Sequence, residues 1–111
     1  MRILALERDP PVPARPDITG LLRDEAARVW TLVKLGLIRD IWFTADDHRA
    51  VLMLECTSLL EAREHLATLP LVRSGVIDFT LHELRPYDGY DRLLGSAAEP
   101  AVHLHEEPPE Y

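Results

Sequence analysis

The alternation of apolar and polar residues between Leu37 and Cys56 predicts a β-hairpin. Two runs rich in β-branched, aromatic and aliphatic residues flank a polar tip at residues 45–49, with the sequence ADDHR. Two strands joined by a loop of four or five residues give this pattern. Strict alternation predicts that one face of the first strand carries Leu37, Arg39, Ile41 and Phe43, and the other carries Ile38, Asp40, Trp42 and Thr44. Both faces are largely apolar, so we expect the sheet to be covered on both sides.

A helical period lies on each side of the hairpin. Residues 21–35 space their apolar side chains three and four apart, and Gly36, a common helix terminator, follows them. The inward face predicted for this helix consists of Leu22, Ala26, Val29 and Val33. A second helix opens with Ser58 and Glu61 at the spacing of a capping box, and we expect it to end at Pro70.

Two outer strands complete the pattern, at residues 3–7 and 76–84. The order β-α-β-β-α-β is that of the ferredoxin-like fold, an α+β arrangement with a four-stranded antiparallel sheet and two helices on one face. Such a sheet leaves its other face bare. Because that face is apolar here, the pattern predicts a homodimer that packs sheet to sheet, with higher oligomers left open.

The length of 111 residues fits one domain, which we place at residues 1–94. Residues 95–111 are rich in Pro, Ala and Glu and form a tail, a candidate for clasping the partner subunit. His103 and His105 in that tail precede two glutamates, but the tail offers no rigid frame for a metal ion. We therefore predict no metal site.

Charge and hydropathy narrow the classes of partner. A net charge of −7, with basic residues spread singly, argues against nucleic acid and anionic membrane surfaces, which require a clustered basic face. No apolar run approaches 18 residues, and the first residues lack the apolar core of a signal peptide. The expected location is the cytoplasm.

Glu25 is the first candidate catalytic residue. It falls at the margin of the apolar face of the first helix, where a carboxylate is partly desolvated. Desolvation raises the pKa of a carboxyl toward the range of a general base. The structural alternative is that Glu25 turns outward and pairs with Arg28 or Arg23.

Arg39, His48 and His82 are the other candidate catalytic residues. Arg39 has the geometry to clamp a substrate carboxylate, with an ion pair to Asp40 or Asp78 as the structural alternative. His48 lies at the hairpin tip beside acidic residues, where a histidine can act as an acid or a base near neutral pH. The structural alternative is a solvated turn residue, which is usual at loop tips. His82 lies on the polar face of the last strand with Thr80 and Asp78, and we expect those groups to contact Arg39 or Glu7. The structural alternative to a catalytic role is a buried hydrogen-bond network that fixes the register of the dimer.

Aromatic and flexible apolar side chains suggest a pocket for a flat organic molecule between the helices and the sheet. The alternative for such aromatics is plain core packing. The predicted substrate-binding residues are Trp30, Trp42, Phe43, Met53, Asp78 and Tyr87.

Four segments of the chain carry a resemblance to a known group of proteins. The segments that carry the resemblance are MRILALER, EAARVW leading to LGLIRDIWF, and AVLMLEC. The most specific is LATLPLVRSGVIDFTLHELRPYDGYDRL, in which Leu-Pro-Leu joins the second helix to the last strand. On these segments the chain resembles the muconolactone isomerase-like group of the dimeric α+β barrel superfamily. The resemblance runs from about residue 1 to residue 94.

The resemblance implies an enzyme without a cofactor that acts on small acidic or phenolic molecules. Members of this group include isomerases, polyketide cyclases and cofactor-independent oxygenases. We therefore expect an isomerase or cyclase that moves a proton on a small organic acid or an aromatic polyketide-like molecule. The alternatives are a cofactor-independent monooxygenase of the same fold and a dimeric binding module without turnover.

Overall fold

A computed structural model describes residues 1–12 and 14–95. It contains four strands, β1 (Arg2–Arg8), β2 (Ile38–Phe43), β3 (Ala50–Glu55) and β4 (Asp78–Leu84). Three α-helices, α1 (Leu21–Lys34), α2 (Leu59–Leu66) and α3 (Pro70–Arg73), and a final 3₁₀ turn (Gly89–Arg92) connect or follow them. Most of the predicted tail lies outside the described residues.

The strands form one antiparallel sheet in the order β2-β3-β1-β4. Strand β1 pairs with both β3 and β4, so the first and last strands predicted from the sequence lie side by side. This is the ferredoxin-like α+β topology, and the prediction of fold class is confirmed.

The core lies between the helices and one face of the sheet. Ile3 and Ala5 of β1 lie opposite Leu54 and Leu52 of β3, and all four are buried. They form one cluster with helical residues, which include Leu32, Ala62 and Leu66. Because side chains alternate along a strand, the residues between them face away from the helices. This second surface, the open face, carries Leu4, Leu6, Val51 and Met53.

Helix α1 is rotated slightly from the predicted orientation: Val29 and Val33 pack against the core as predicted, but Leu22 and Ala26 do not. Leu22 is 51% exposed and Ala26 is also exposed, whereas Leu32 is fully buried and Glu25 is half-buried. The apolar arc of the helix is wide enough to permit either rotation. Two hydrogen bonds on the inner side of the helix are consistent with the observed orientation of α1. Glu25 accepts the Leu71 N–H at 2.9 Å, and Arg28 donates to Thr68 at 2.8 Å.

Strand β2 contains a bulge at Arg39, and strict alternation was therefore the wrong rule there. Ile38 lies opposite Leu54, but Asp40 already lies opposite Met53. The extra residue moves Ile38 onto the helix-facing side, together with Ile41 and Phe43, and leaves Asp40 and Trp42 on the open face. Arg39 sits on the bulge itself.

Gly36 marks the end of α1, and a capping box marks the start of α2. Gly36 adopts a left-handed φ of 81°, and its N–H and the next one bond back to Val33 and Leu32, the pattern of a Schellman motif. At the start of α2 the Ser58 hydroxyl accepts the Glu61 N–H at 3.0 Å, as predicted. The Glu61 carboxylate accepts the N–H of Thr57, one residue earlier than in the standard box.

The second helix is shorter than predicted. It ends at Leu66, and Pro70 begins the separate helix α3 instead of ending α2. Proline is well suited to a first helical position because its missing N–H would have no intrahelical acceptor there.

Candidate functional site

Glu25 lies on α1, where it joins that helix to α3. Its carboxylate accepts a hydrogen bond from Leu71, whose N–H lies in the first turn of α3 and has no acceptor within the helix. Desolvation raises the pKa of Glu25 above its ordinary value of 4.5, and the bond from Leu71 opposes part of this shift. The expected direction of the pKa shift is confirmed. The alternative ion pair to Arg23 or Arg28 is wrong, since the described residues contain no such contact.

Arg39 lies beside a cavity of about 380 Å³ at one end of the sheet, which we call the Arg39 cavity. The bulge places it there, and its Nε donates to the Gly36 carbonyl at 2.7 Å. It forms no ion pair with a carboxylate in the part of the chain that the structure describes, so the expected alternatives Asp40 and Asp78 are wrong. The cavity is lined by residues 35–37, Arg39, Glu55, Glu61 and His65.

His65 and Glu61 bring an imidazole and a carboxylate to the same cavity as Arg39. They are four residues apart on α2, so their side chains share one face of that helix. One oxygen of Glu61 is held by the Thr57 N–H at 2.7 Å, which fixes the carboxylate at the helix start. Sequence reasoning missed His65, although its spacing from the capping glutamate was a usable signal.

Glu55, the second carboxylate of the cavity, is already compensated. Its two oxygens accept bonds from the Met1 ammonium at 2.7 Å and from Arg2 Nε at 3.0 Å. These bonds, the ammonium first, lower the pKa of Glu55. The neighbouring Cys56 is buried, and desolvation together with the charges of Glu61 and Glu55 raises the pKa of its thiol. Glu55 therefore remains an anion, and Cys56 remains a neutral thiol.

A second cavity, of about 430 Å³, lies at the opposite end of the sheet beside the hairpin tip. Its cations are paired, because Arg49 contacts Asp9 at 3.1 Å and Asp47 at 3.7 Å. Arg8, also in its lining, pairs with Asp78 at 2.6 Å. An anionic ligand would have to displace these contacts, which makes this cavity a weaker candidate than the Arg39 cavity.

His48 and His82 lie apart from the Arg39 cavity. His48 is exposed at the hairpin tip, where its ring stacks on Phe43 with centroids 3.9 Å apart. His82 lies opposite Leu4 on β1, which places it on the open face. Of the four predicted catalytic residues, Arg39 alone lines the Arg39 cavity; Glu25, His48 and His82 do not.

The expected pocket between the helices and the sheet does not have the predicted walls. Trp42 and Met53 lie on the open face, away from the helices. Trp30 is 60% exposed on α1, where the Lys34 ammonium lies 5.7 Å from its ring centroid. Side chains on opposite sides of the sheet cannot wall one pocket within a single chain.

The remaining three predicted substrate-binding residues lie elsewhere, and one of them, Phe43, stacks on His48 at the hairpin tip. Tyr87 is exposed after β4 and packs edge-on against Tyr90, with ring centroids 5.0 Å apart. Asp78 pairs with Arg8. The prediction that Asp78 contacts Arg39 or Glu7 is therefore wrong. The register between β1 and β4 places Arg8 opposite Asp78.

The fold resembles that of two solved enzymes. Muconolactone isomerase superposes with a TM-score of 0.65 at 19% identity, over 96% of this chain and 100% of that chain. The 5-chloro-2-hydroxyhydroquinone dehydrochlorinase of Burkholderia phenoliruptrix, solved with 2,5-dihydroxybenzoquinone, gives a TM-score of 0.56 at 20% identity, over 80% of this chain and 98% of that chain. No known family profile and no curated protein sequence matches the chain. The predicted muconolactone isomerase-like fold is confirmed.

Within residues 1–12 and 14–95, none of the helices is both long and apolar enough to span a membrane.

Proposed function

We propose that this protein is an enzyme that transfers a proton on a small organic acid, without a cofactor, in the Arg39 cavity. One observation carries the proposal: Arg39, His65 and Glu61 line the same cavity, so a guanidinium, an imidazole and a carboxylate lie around one space. Arg39 has no ion pair with a carboxylate among the described residues. The fold supports the same class, since the two solved structures are an isomerase and a dehydrochlorinase.

Each polar group of the cavity has a distinct role in the proposed reaction. Arg39 holds the substrate carboxylate, since a guanidinium binds a carboxylate through two parallel hydrogen bonds. His65 removes the proton from a carbon next to a carbonyl and returns it to another carbon, the work for which imidazole is suited near neutral pH. Glu61 stabilises the imidazolium that exists between the two steps.

Glu25 is the alternative base, and its raised pKa is the observation that favours it. The geometry favours His65, because Glu25 already accepts the Leu71 N–H and does not line the Arg39 cavity. The two assignments make opposite predictions for single substitutions, so one experiment separates them.

The protein would act as a homodimer that buries the open face. Leu4, Leu6, Val51 and Met53 form a continuous apolar strip there, and Trp42 beside them is 67% exposed. An apolar surface of this kind on a sheet is normally buried against another protein surface. In this assembly His82, Trp42 and Met53 serve the contact between subunits instead of the chemistry.

The proposal is tested by deuterium incorporation into muconolactone in D₂O, followed by proton NMR. Muconolactone serves here as a probe for proton transfer. A carbon-bound proton that is removed and replaced by deuterium is detected even where no net isomerisation occurs. The wild-type protein should exchange a carbon-bound proton, and Arg39→Gln and His65→Gln should each lower the rate about 100-fold or more, the range of general acid–base catalysis. Glu64→Gln is the matched control on α2, since Glu64 does not line the Arg39 cavity.

Three outcomes would contradict the proposal. Exchange that survives His65→Gln but is lost in Glu25→Gln would make Glu25 the base. Oxygen consumption with a phenol and no added cofactor, without proton exchange, would favour the monooxygenase. If neither exchange nor oxygen uptake occurs with a panel of small acids and phenols, the binding module becomes the better account.

A further inference from the structure

A third cavity, of about 280 Å³, opens between α2 and β4, on a side of the molecule that the proposed reaction does not use. We call it the Arg63 cavity, after the arginine in its lining. Its lining consists of Arg63, Glu64, Leu66, Ala67, Val72, Asp78 and Phe79.

The floor of the Arg63 cavity is apolar and continuous with the core. Leu66 and Phe79 are 3% and 2% exposed, and Val72 packs against the same core cluster. An apolar ligand group placed there would contact these side chains and leave water, which is the main source of affinity in small cavities.

The rim supplies one cation. Arg63 makes no ion pair within the described part of the chain, and its only hydrogen bond there is a long one, 3.5 Å from Nη1 to the Phe79 carbonyl. Asp78 is neutralised by Arg8 at 2.6 Å, which leaves Glu64 as the one carboxylate of the lining without an ion pair among the described residues. Most donors of the Arg63 guanidinium therefore remain available to a ligand.

We infer that the Arg63 cavity is a second small-molecule site, for a short aliphatic carboxylate. The apolar chain would occupy the floor, and the carboxylate would bind Arg63 at the rim. The volume lies just below the range of about 300–1,000 Å³ that is usual for ligand pockets, so only a short chain fits. Unlike the proposed reaction in the Arg39 cavity, this site has no imidazole and would bind without turnover.

Hexanoate titrated into the 111-residue chain tests the inference, with binding followed through the methyl resonances of Val72. Arg63→Gln should weaken hexanoate about tenfold or more, because a hydrogen bond to a charged group is lost. Glu64→Gln should strengthen it, since the opposing charge at the rim is removed. Hexan-1-ol should bind more weakly than hexanoate, and Ala67→Leu should block both by filling the mouth.

Arg39→Gln is the matched control, because it removes the arginine of the other cavity and should leave hexanoate affinity unchanged. A loss of affinity in Arg39→Gln equal to that in Arg63→Gln would place the carboxylate in the Arg39 cavity and overturn the second site. No shift of Val72 at saturating hexanoate, or a shift that Arg63→Gln leaves intact, would overturn it as well. These outcomes do not depend on whether the protein exchanges protons on muconolactone.

Discussion

Glu25 lies where a helix faces the core, and its surroundings explain both its candidacy as a base and its structural role. Burial raises the pKa of its carboxyl, while the hydrogen bond from Leu71 ties α1 to α3. Sequence pattern predicted the desolvation, because the residue follows the apolar stripe. It could not predict the bond, because Leu71 is 46 residues away along the chain.

Glu25→Gln should raise the free energy of unfolding at pH 7 and have no effect near pH 4. A carboxyl with a folded-state pKa above its unfolded value weakens folding at high pH, and this penalty disappears as pH falls through the folded pKa toward 4.5. Glutamine keeps an oxygen to accept the Leu71 N–H but carries no charge to desolvate. Urea unfolding between pH 4 and pH 7 measures the difference.

The control for this prediction is Asp24→Asn, which removes an exposed carboxylate one residue away on the same helix. It should leave the pH profile of the wild type unchanged. Glu25→Ala, which leaves the Leu71 N–H without an acceptor, should be about 1 kcal/mol less stable than Glu25→Gln at every pH. A Gln variant that is less stable than wild type at pH 7 would contradict the assigned origin of the shift.

At the scale of elements, periodicity predicted the two hairpin strands and the main helix, and single glycine and serine signals predicted their ends. Gly36 ends α1 and Ser58 caps α2 because these signals act locally, through backbone conformation and one hydrogen bond. The bulge at Arg39 has no such signal, since it depends on how β2 pairs with β3. That single irregularity separates Arg39 from its predicted face and places it in the cavity.

Gly36→Ala should lower the free energy of unfolding by about 1–2 kcal/mol, the cost of holding an L-residue in the left-handed region that the Schellman motif requires. Thermal unfolding measures the effect. Gly20→Ala is the matched control, because Gly20 has a φ of −76° and no atom within 4 Å of an added Cβ. It should leave stability unchanged or raise it by up to about 1 kcal/mol. Equal effects at the two positions would refute the role of Gly36.

At the scale of the whole molecule, the topology could be predicted from the sequence because the spacing of apolar residues in each segment distinguishes a helix from a strand. The site was not. Arg39, Glu61 and His65 come from a bulge and from one face of α2, and only the packing of α2 beside the start of β2 brings them together. Residues singled out for their chemistry alone, such as His48 and Tyr87, instead lie exposed on loops.

Met53→Lys should convert the proposed dimer into a monomer, because it places a charge in the middle of the apolar open face. Light scattering coupled to size exclusion should show the mass falling by half, while thermal unfolding shows that the chain still folds. Leu60→Lys is the control, since Leu60 is 67% exposed on α2, on the other side of the sheet. A wild-type protein that runs as a monomer at all concentrations would exclude the proposed assembly.

The central claim, that a small organic acid binds in the Arg39 cavity, is tested most directly by isotope-filtered nuclear Overhauser measurements with unlabelled muconolactone and the ¹³C-labelled protein. The account predicts contacts from the ligand to the methyl groups of Leu37 and to the ring of His65, both of which line that cavity. Contacts to Leu6 and Val51 at the hairpin end of the sheet, with none to His65, would contradict it.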